Sequence, residues 1–250
     1  MKRKISQYNL LFLLPIGSFL IIWEIMGHVA NTPLFPPLSR VVIEFWVLLQ
    51  SGVLAASLAA SMARVVAGFV LGSAAGLFAG VLMGLYPVVY RSLSPLVTIL
   101  FPIPSLGWLP LLMLWIGINE ALPVTLIFIC AFFPVAYNTV TGIREVKEEY
   151  IKIARTLGAS PRYILWHIII PMALPAIFTG LRLEAGMVWR TVIAAEMFAI
   201  PTGIGALLIN AETLIRVDVI LVCLMVLSLM CLLFDRFFLW LENKITGAWR

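Results

Sequence analysis

The chain has 250 residues, 62% of them hydrophobic and 12% charged, with a mean hydropathy of +1.07. Soluble domains carry about 45–50% apolar and about 25% charged residues, so this composition excludes a cytosolic enzyme, a secreted disulfide scaffold and a disordered region. What remains is an all-α polytopic membrane protein, long enough for about five to seven spans at roughly 20 residues each. The net charge of +5 then belongs first to membrane topology, and no nucleic-acid partner is expected.

Lys2, Arg3 and Lys4 precede a first apolar run over residues 10–27. The run is longer than a signal-peptide core and His28-Val29-Ala30 is a poor cleavage site, so it reads as an anchor. Residues 29–56 form an outer segment that opens as extended chain through its Pro33, Pro36 and Pro37. A short amphipathic helix is expected over residues 40–49. The second run, residues 57–85, carries Gly68, Gly72, Gly76, Gly80 and Gly84. A small residue at every fourth position gives one helix face that another helix can approach closely, and a second copy of the chain is one candidate for that contact.

The third run, residues 93–117, is interrupted by Pro95, Pro102, Pro104, Gly107 and Pro110. Each proline removes a backbone donor and clashes with the preceding turn. Broken backbone survives at membrane depth only where protein buries it or it lines a cavity, so this run is a kinked helix or a helix–break–helix element. Further runs cover residues 121–140, 176–200 and 217–240, which makes six spans.

With the N-terminus inside, Lys2, Arg3, Lys4, Arg91, Arg144, Lys147, Lys152, Arg155, Arg162, Arg236, Lys244 and Arg250 all fall on the inner side. Only Arg40 and Arg216 fall outside, while Arg64, Arg182 and Arg190 lie within spans or at their ends. An inside excess of this size puts both termini in the cytoplasm. The one sizeable cytoplasmic segment is then residues 141–175. Its stretch from Glu148 to Leu157 has acids first and bases later, as the helix dipole favours, with Ile151, Ala154 and Leu157 on one face. Gly158 suits a C-cap with positive φ. Ser160-Pro161 suits the start of a second helix running to Pro171. Such a pair is a docking knob or an amphipathic hairpin lying on the inner leaflet.

Ile153-Ala154-Arg155-Thr156-Leu157-Gly158-Ala159-Ser160, followed by Ile170-Pro171-Met172-Ala173-Leu174-Pro175, resembles the EAA loop of binding-protein-dependent ABC importer permeases. The motif's opening Glu-Ala-Ala is here Lys152-Ile153-Ala154, so only its last alanine matches, and salt bridges of the first position do not carry over. Gly158 stands at the family's glycine. Ser61 to Gly84 is similar to the family's second span, and Leu109-Pro110-Leu111 with Trp115-Ile116-Gly117-Ile118 to its Leu-Pro-Leu and Trp-Phe-Gly-Ile. Phe178-Thr179-Gly180-Leu181-Arg182, Trp189-Arg190, Ala194-Ala195-Glu196 and Gly203-Ile204-Gly205 resemble the nitrate/sulfonate/taurine/bicarbonate branch.

The resemblance implies the type I ABC importer permease fold: six transmembrane helices with a cytoplasmic coupling-helix hairpin. Residues 1–56 would hold the tail, first helix and outer segment, and residues 57–250 the permease domain with its coupling loop at 141–175. Ile151, Ala154, Arg155, Leu157, Gly158 and Ser160 would seat the loop in a separate ATP-binding subunit. The further partners implied are a periplasmic or tethered solute-binding protein, a second permease copy and the bilayer of a bacterial or archaeal inner membrane. The solute would be a small anion, with an aminopyrimidine-type importer or an ion-coupled secondary transporter as the alternatives.

Ionisable residues inside spans are functional candidates by default. At 100° per residue, Arg182, Gly186, Trp189, Ile193 and Glu196 fall within about 60° of each other, with Arg190 about 80° from Arg182 and Glu184 on the far side. If this stripe faces the pathway, Arg182 or Arg190 attracts an anion and Trp189 serves as a gate. The competing reading has Arg182 reaching the inner interface and Arg190 paired with Glu184 or Glu196. Arg64 has the same two readings. Cys130, Cys223 and Cys231 show no metal-ligand spacing, and His28 and His167 fall at opposite faces, so no metal site is expected. None of the five lysines follows a glycine, so no Walker A loop is present to bind ATP. No catalytic motif is present either, and ATP with Mg would belong to the partner subunit.

Overall fold

An apolar chain in lipid has to satisfy its own backbone, and the α-helix does so within one segment. A computed structural model describes residues 2–247 of this protein, with side chains described from Leu14 onward. Its helices are α1 (Lys2–Ala30), α2 (Leu38–Gln50), α3 (Val53–Leu85), α4 (Pro87–Leu100), α5 (Ser105–Ile116), α6 (Ala121–Arg144), α7 (Glu148–Thr156), α8 (Pro161–Ile164), α9 (Ile170–Ala199), α10 (Ile204–Thr213) and α11 (Val217–Thr246). Among the described residues, α3, α6, the continuous stretch Pro161–Ala199 and α11 are each long and apolar enough to cross a membrane. Helices α4 and α5 qualify as a pair bent by 102°, and Leu14–Ala30 of α1 is a shorter apolar helix. The six expected runs map onto these elements. The side chains of Lys2, Arg3 and Lys4, the start of the first run, and Arg250 lie outside the described residues.

The core forms where α3, α6, α9 and α11 pack side by side. Val65 and Phe69 of α3, Ile127 of α6, Val188 and Trp189 of α9 and Val222 of α11 are all buried in it. The five spaced glycines of α3 all face α6: a Cβ on any of them would stand 2.5–2.6 Å from Ile127, Phe128, Phe132, Thr139 or Ile143. This corrects one expectation. The glycine face is consumed inside the chain, so it is not available to pack a second copy.

The interrupted run resolves as helix–break–helix. Pro102 and Pro104 supply no N–H, and Pro104 is extended at ψ 140°, so the backbone turns there before α5 begins at Ser105. At the other end of the bundle the expected hairpin has only one separate arm. Its second helix does not stop at Pro171 but runs through α8 and a π-helical turn, Leu165–Ile169, into α9. The wider turn places Pro171 near the start of a new α-helical register, where its missing donor costs nothing. A further helix, α10, occupies what the sequence reads as a short outer connection. Helix α1 is peripheral, tied to the rest through α2 by Trp23 Nε1 donating to the Pro36 carbonyl at 3.1 Å and Ser39 N donating to Glu24 at 3.0 Å.

Candidate functional site

Helix α7 is short, so its position depends on its ends and on one buried face. Ala154 is buried against Ile143, Val146, Ile164, Ile169 and Ala173, with Ile151 packed beside it. Lys152 and Glu148 form an exposed pair at 3.0 Å, whose hydrogen bond holds the Glu148 carboxyl below its usual range. The helix ends in a complete Schellman motif: Ala159 N donates to the Ala154 carbonyl and Gly158 N to that of Arg155, both at 3.0 Å. Gly158 has φ 82°. A Cβ there would touch nothing within 4 Å, so the glycine is required by backbone conformation and not by space. Ser160 then caps α8, its hydroxyl accepting from Tyr163 N at 3.3 Å.

Leu157 departs from the expected face. It follows the last helical residue and is 82% exposed, next to Ile153 at 58%. Arg155 is exposed as well. Ile151 and Ala154 therefore anchor the knob, while Ile153 and Leu157 form an apolar rim. The rim borders a recess of about 880 Å³ that also takes in Tyr150, Tyr163 and His167. The Tyr163 and His167 rings stack at 4.2 Å.

Roughly 30 Å away along α3, at 1.5 Å per residue, the structure joins Arg64 to Glu196. An arginine has five N–H groups, and here each has a partner. Nε donates to Glu120 at 2.7 Å and Nη2 to Glu120 at 2.8 Å and to the Thr202 hydroxyl at 2.6 Å. Nη1 donates to Glu196 at 2.7 Å and to the Thr202 carbonyl at 2.9 Å. Glu196 also accepts from the Ser61 hydroxyl at 2.8 Å and from Gly205 N at 3.0 Å, and Ile204 N donates to Ser61 at 2.9 Å. Gly203 has φ 106°, and a Cβ on it would overlap the Glu196 carboxylate. Outside the spans, the Arg64 hydrogen bonds hold the Glu120 carboxyl below its usual range. This is a closed latch tying α3, α6, α9 and α10 together, with no Arg64 donor left for an anion.

The expected α9 stripe is divided. Arg182 is half-buried and pairs with Asp235 at 3.4 Å and Glu242 at 3.2 Å on α11. Trp189 is 1% exposed and stands edge-on to Phe234 at 5.6 Å. It is part of the α9–α11 core, on the helix face that α11 buries. Arg190 is exposed, and Glu196, one of its two expected partners, is taken by Arg64. The other, Glu184, lies elsewhere: it lines a cavity of about 350 Å³ at the α4–α5 break, together with Pro102, Pro104, Cys130, Met187 and Thr191.

Sequence reasoning missed Glu120, Thr202 and Ser61 as parts of the latch. A signal was present for one of them. Arg64 near the outer end of its span and Glu120 in an outer connection are opposite charges at the same face. The backbone donors of Ile204 and Gly205 carry no such signal.

An apolar bundle of long helices with a broken element among them defines a polytopic membrane protein. Residues 72–247 match the model of the binding-protein-dependent transport system inner membrane component family, and the chain belongs to that family. It is similar to a putative ABC transporter permease of Methanocaldococcus jannaschii, with 38% identity over 92% of this chain and 88% of the relative. The taurine transport system permease of Escherichia coli is 36% identical over 65% of this chain and 59% of its own length. Aliphatic-sulfonate, nitrate and bicarbonate permeases are also among its relatives, so the nitrate/sulfonate/taurine/bicarbonate branch is its place in the family. Among solved structures, an amino acid ABC transporter described with histidines aligns with TM-score 0.64 at 19% identity, over 79% of this chain and 96% of that one. That likeness shows the type I permease fold.

Proposed function

We propose that this permease imports a small anionic solute of the taurine, sulfonate, nitrate or bicarbonate kind and is driven by a separate ATP-binding subunit seated on the α7 knob. The observation that carries the coupling is the knob itself: a helix with one buried face, a glycine-dependent cap, and Ile153 and Leu157 exposed at its tip. An exposed apolar rim on a rigid base suits a protein groove, and a closing pair of ATPase subunits would move α9 directly, because α8 and α9 are continuous. Two permease copies facing each other, a solute-binding protein delivering from outside and cytoplasmic termini complete the reading. Of the three span arginines, Arg64 and Arg182 are already paired, which leaves Arg190 to attract the anion.

A photo-crosslinking amino acid at position 157 is the direct test of the knob. It should join the chain to its ATPase in native membranes, whereas one at the exposed Leu214, just after α10 at the latch end, should not. Equal labelling of the ATPase from both positions, or none from position 157, would end the docking assignment. Arg190→Ala should lower ATP-dependent uptake at least about tenfold while Arg190→Lys, which keeps the charge, restores much of it. Uptake indifferent to both changes would remove the anion role from Arg190.

A further inference from the structure

Glu184 lies halfway along α9, is 2% exposed, and its Oε1 has no hydrogen-bond partner among the described residues. A buried carboxylate without a partner is among the most costly arrangements a protein can hold, more so inside a membrane. Buried polar groups are otherwise satisfied with few exceptions, and each exception asks for an explanation. The Glu184 side chain lines a cavity of about 350 Å³. The cavity sits where Pro102 and Pro104 break the α4–α5 element, a helix pair bent by 102°. Such breaks are tolerated where protein buries them or where they line a cavity or pathway.

The lining fixes the sign of the charge that fits. None of its residues is a lysine, arginine or histidine; beside Glu184 the polar side chains are Ser105, Cys130, Thr191 and the Trp108 indole. The Thr191 hydroxyl is turned back onto the Met187 carbonyl at 3.4 Å. The C-terminal end of α4 and the N-terminal end of α5 both meet at the break, so their opposed dipole ends offset each other and Glu184 dominates. Among the described residues no group of three or more metal-ligating side chains forms. A carboxylate with only hydroxyl, thiol and indole neighbours suits a cation that brings its own N–H donors.

We propose that this cavity is an ammonium-accepting subsite of the translocation pathway, and that the cargo carries a protonated amine or comparable cationic nitrogen which Glu184 receives. This rests on the importer reading and narrows it: within the branch's anions, an aminoalkanesulfonate or similar zwitterion fits, and a bare inorganic oxyanion does not. Its sulfonate would be served by Arg190, about 9 Å further along α9 at 1.5 Å per residue, at a different step of passage. The volume admits a short aminoalkane, and Met187 and the indole of Trp108 supply an apolar wall for its carbon chain.

The test uses the purified permease–ATPase complex in detergent, with thermal unfolding read against added 2-aminoethanesulfonate, ethylammonium, ethanesulfonate, sodium and potassium. The two ammonium-bearing probes should raise the melting temperature in the millimolar range and ethanesulfonate and the alkali ions should not. Glu184→Gln removes the charge at constant shape and should itself fold at least as stably, while the ammonium probes lose about tenfold or more in midpoint concentration, a shift of about 1.4 kcal/mol. Glu184→Asp keeps the charge and should retain a weakened response. The proposal is overturned if ethanesulfonate or an alkali ion stabilises as well as the amines do. It is also overturned if no ammonium probe acts, or if Glu184→Gln responds like the unaltered complex. Any of these would leave ATPase co-purification and ATP-dependent uptake intact, so loss of this subsite is distinguishable from loss of the importer reading.

Discussion

At the scale of single residues, the arginine with the most contacts is the one least able to act on a solute. Arg64 has every donor engaged, and Glu196 beside it is fully buried. Removing one partner of a buried pair leaves the other charge stranded, at a cost of about 3–5 kcal/mol. Arg64→Ala should therefore lower the unfolding midpoint of the detergent-solubilised chain sharply. Glu120→Gln should cost no more than about 1 kcal/mol, because that carboxylate is 69% exposed and the pair is screened. Comparable losses from both changes would mean that the latch is not organised around Glu196. Because Arg64 holds Glu120 below its usual carboxylate range, the contribution of this pair is fully present above that ordinary value. It is lost as pH falls through the lowered one. A stability profile of Glu120→Gln against the unaltered chain should converge at acid pH and separate toward neutrality; convergence at neutral pH instead would contradict the pairing. Gly158→Val meets a different constraint, since φ 82° disfavours a β-branched residue by about 1–2 kcal/mol. The change should leave membrane insertion intact while ATP-dependent uptake falls well below half. Normal uptake would separate the cap from coupling.

At the scale of elements, the tightest contact in the bundle is α3 against α6, where glycines let the two backbones approach. Gly76 faces the Phe132 carbonyl at 2.6 Å for an added Cβ, a backbone atom that cannot turn aside. Gly76→Val should cost at least the 1–3 kcal/mol typical of overpacking, roughly, seen as a lower unfolding midpoint and poorer assembly. Gly186→Ala, with nothing within 4 Å, should be nearly neutral in the same assay. Equal effects would show that the glycine face is not the packing seam. This contact also marks how far the sequence could be read. The fourfold glycine spacing announced a close helix neighbour, but spacing names a face and not a partner, and α6 proved to be the occupant. The apolar runs and the Gly158 and Ser160 caps were legible because each depends on local chemistry. The join of α8 to α9 was not, because prolines at 171 and 175 read as breaks until a π-helical turn supplies the register. Helix α10 was also missed: its start is fixed by Gly205 N on Glu196 and Ile204 N on Ser61, contacts 9 and 143 residues away in sequence.

At the scale of the whole molecule, the features form a line. The latch fixes one end of α3 and α9, the glycine seam binds α3 to α6, and α9 connects through the π-helical turn to α8, beside the α7 knob. The continuous helix Pro161–Ala199 thus runs from beside the knob to Glu184 and the cavity at the α4–α5 break, the continuity on which the proposed coupling rests. The stripe of residues read from helical periodicity is divided among neighbours for a related reason. An angle around an isolated helix does not say which neighbour covers it, and α11 covers Trp189 while Glu184, on the opposite side, keeps the cavity. The central claim is that this chain works as the membrane half of an ATP-driven importer. The measurement that bears on it most directly is gentle extraction of the tagged chain from native membranes, with quantitative mass spectrometry of what accompanies it. An ATP-binding subunit in near-equal amount, lost when Ile153 and Leu157 are both changed to Asp, is the expected result. A chain that emerges alone, even after mild crosslinking, would contradict the account.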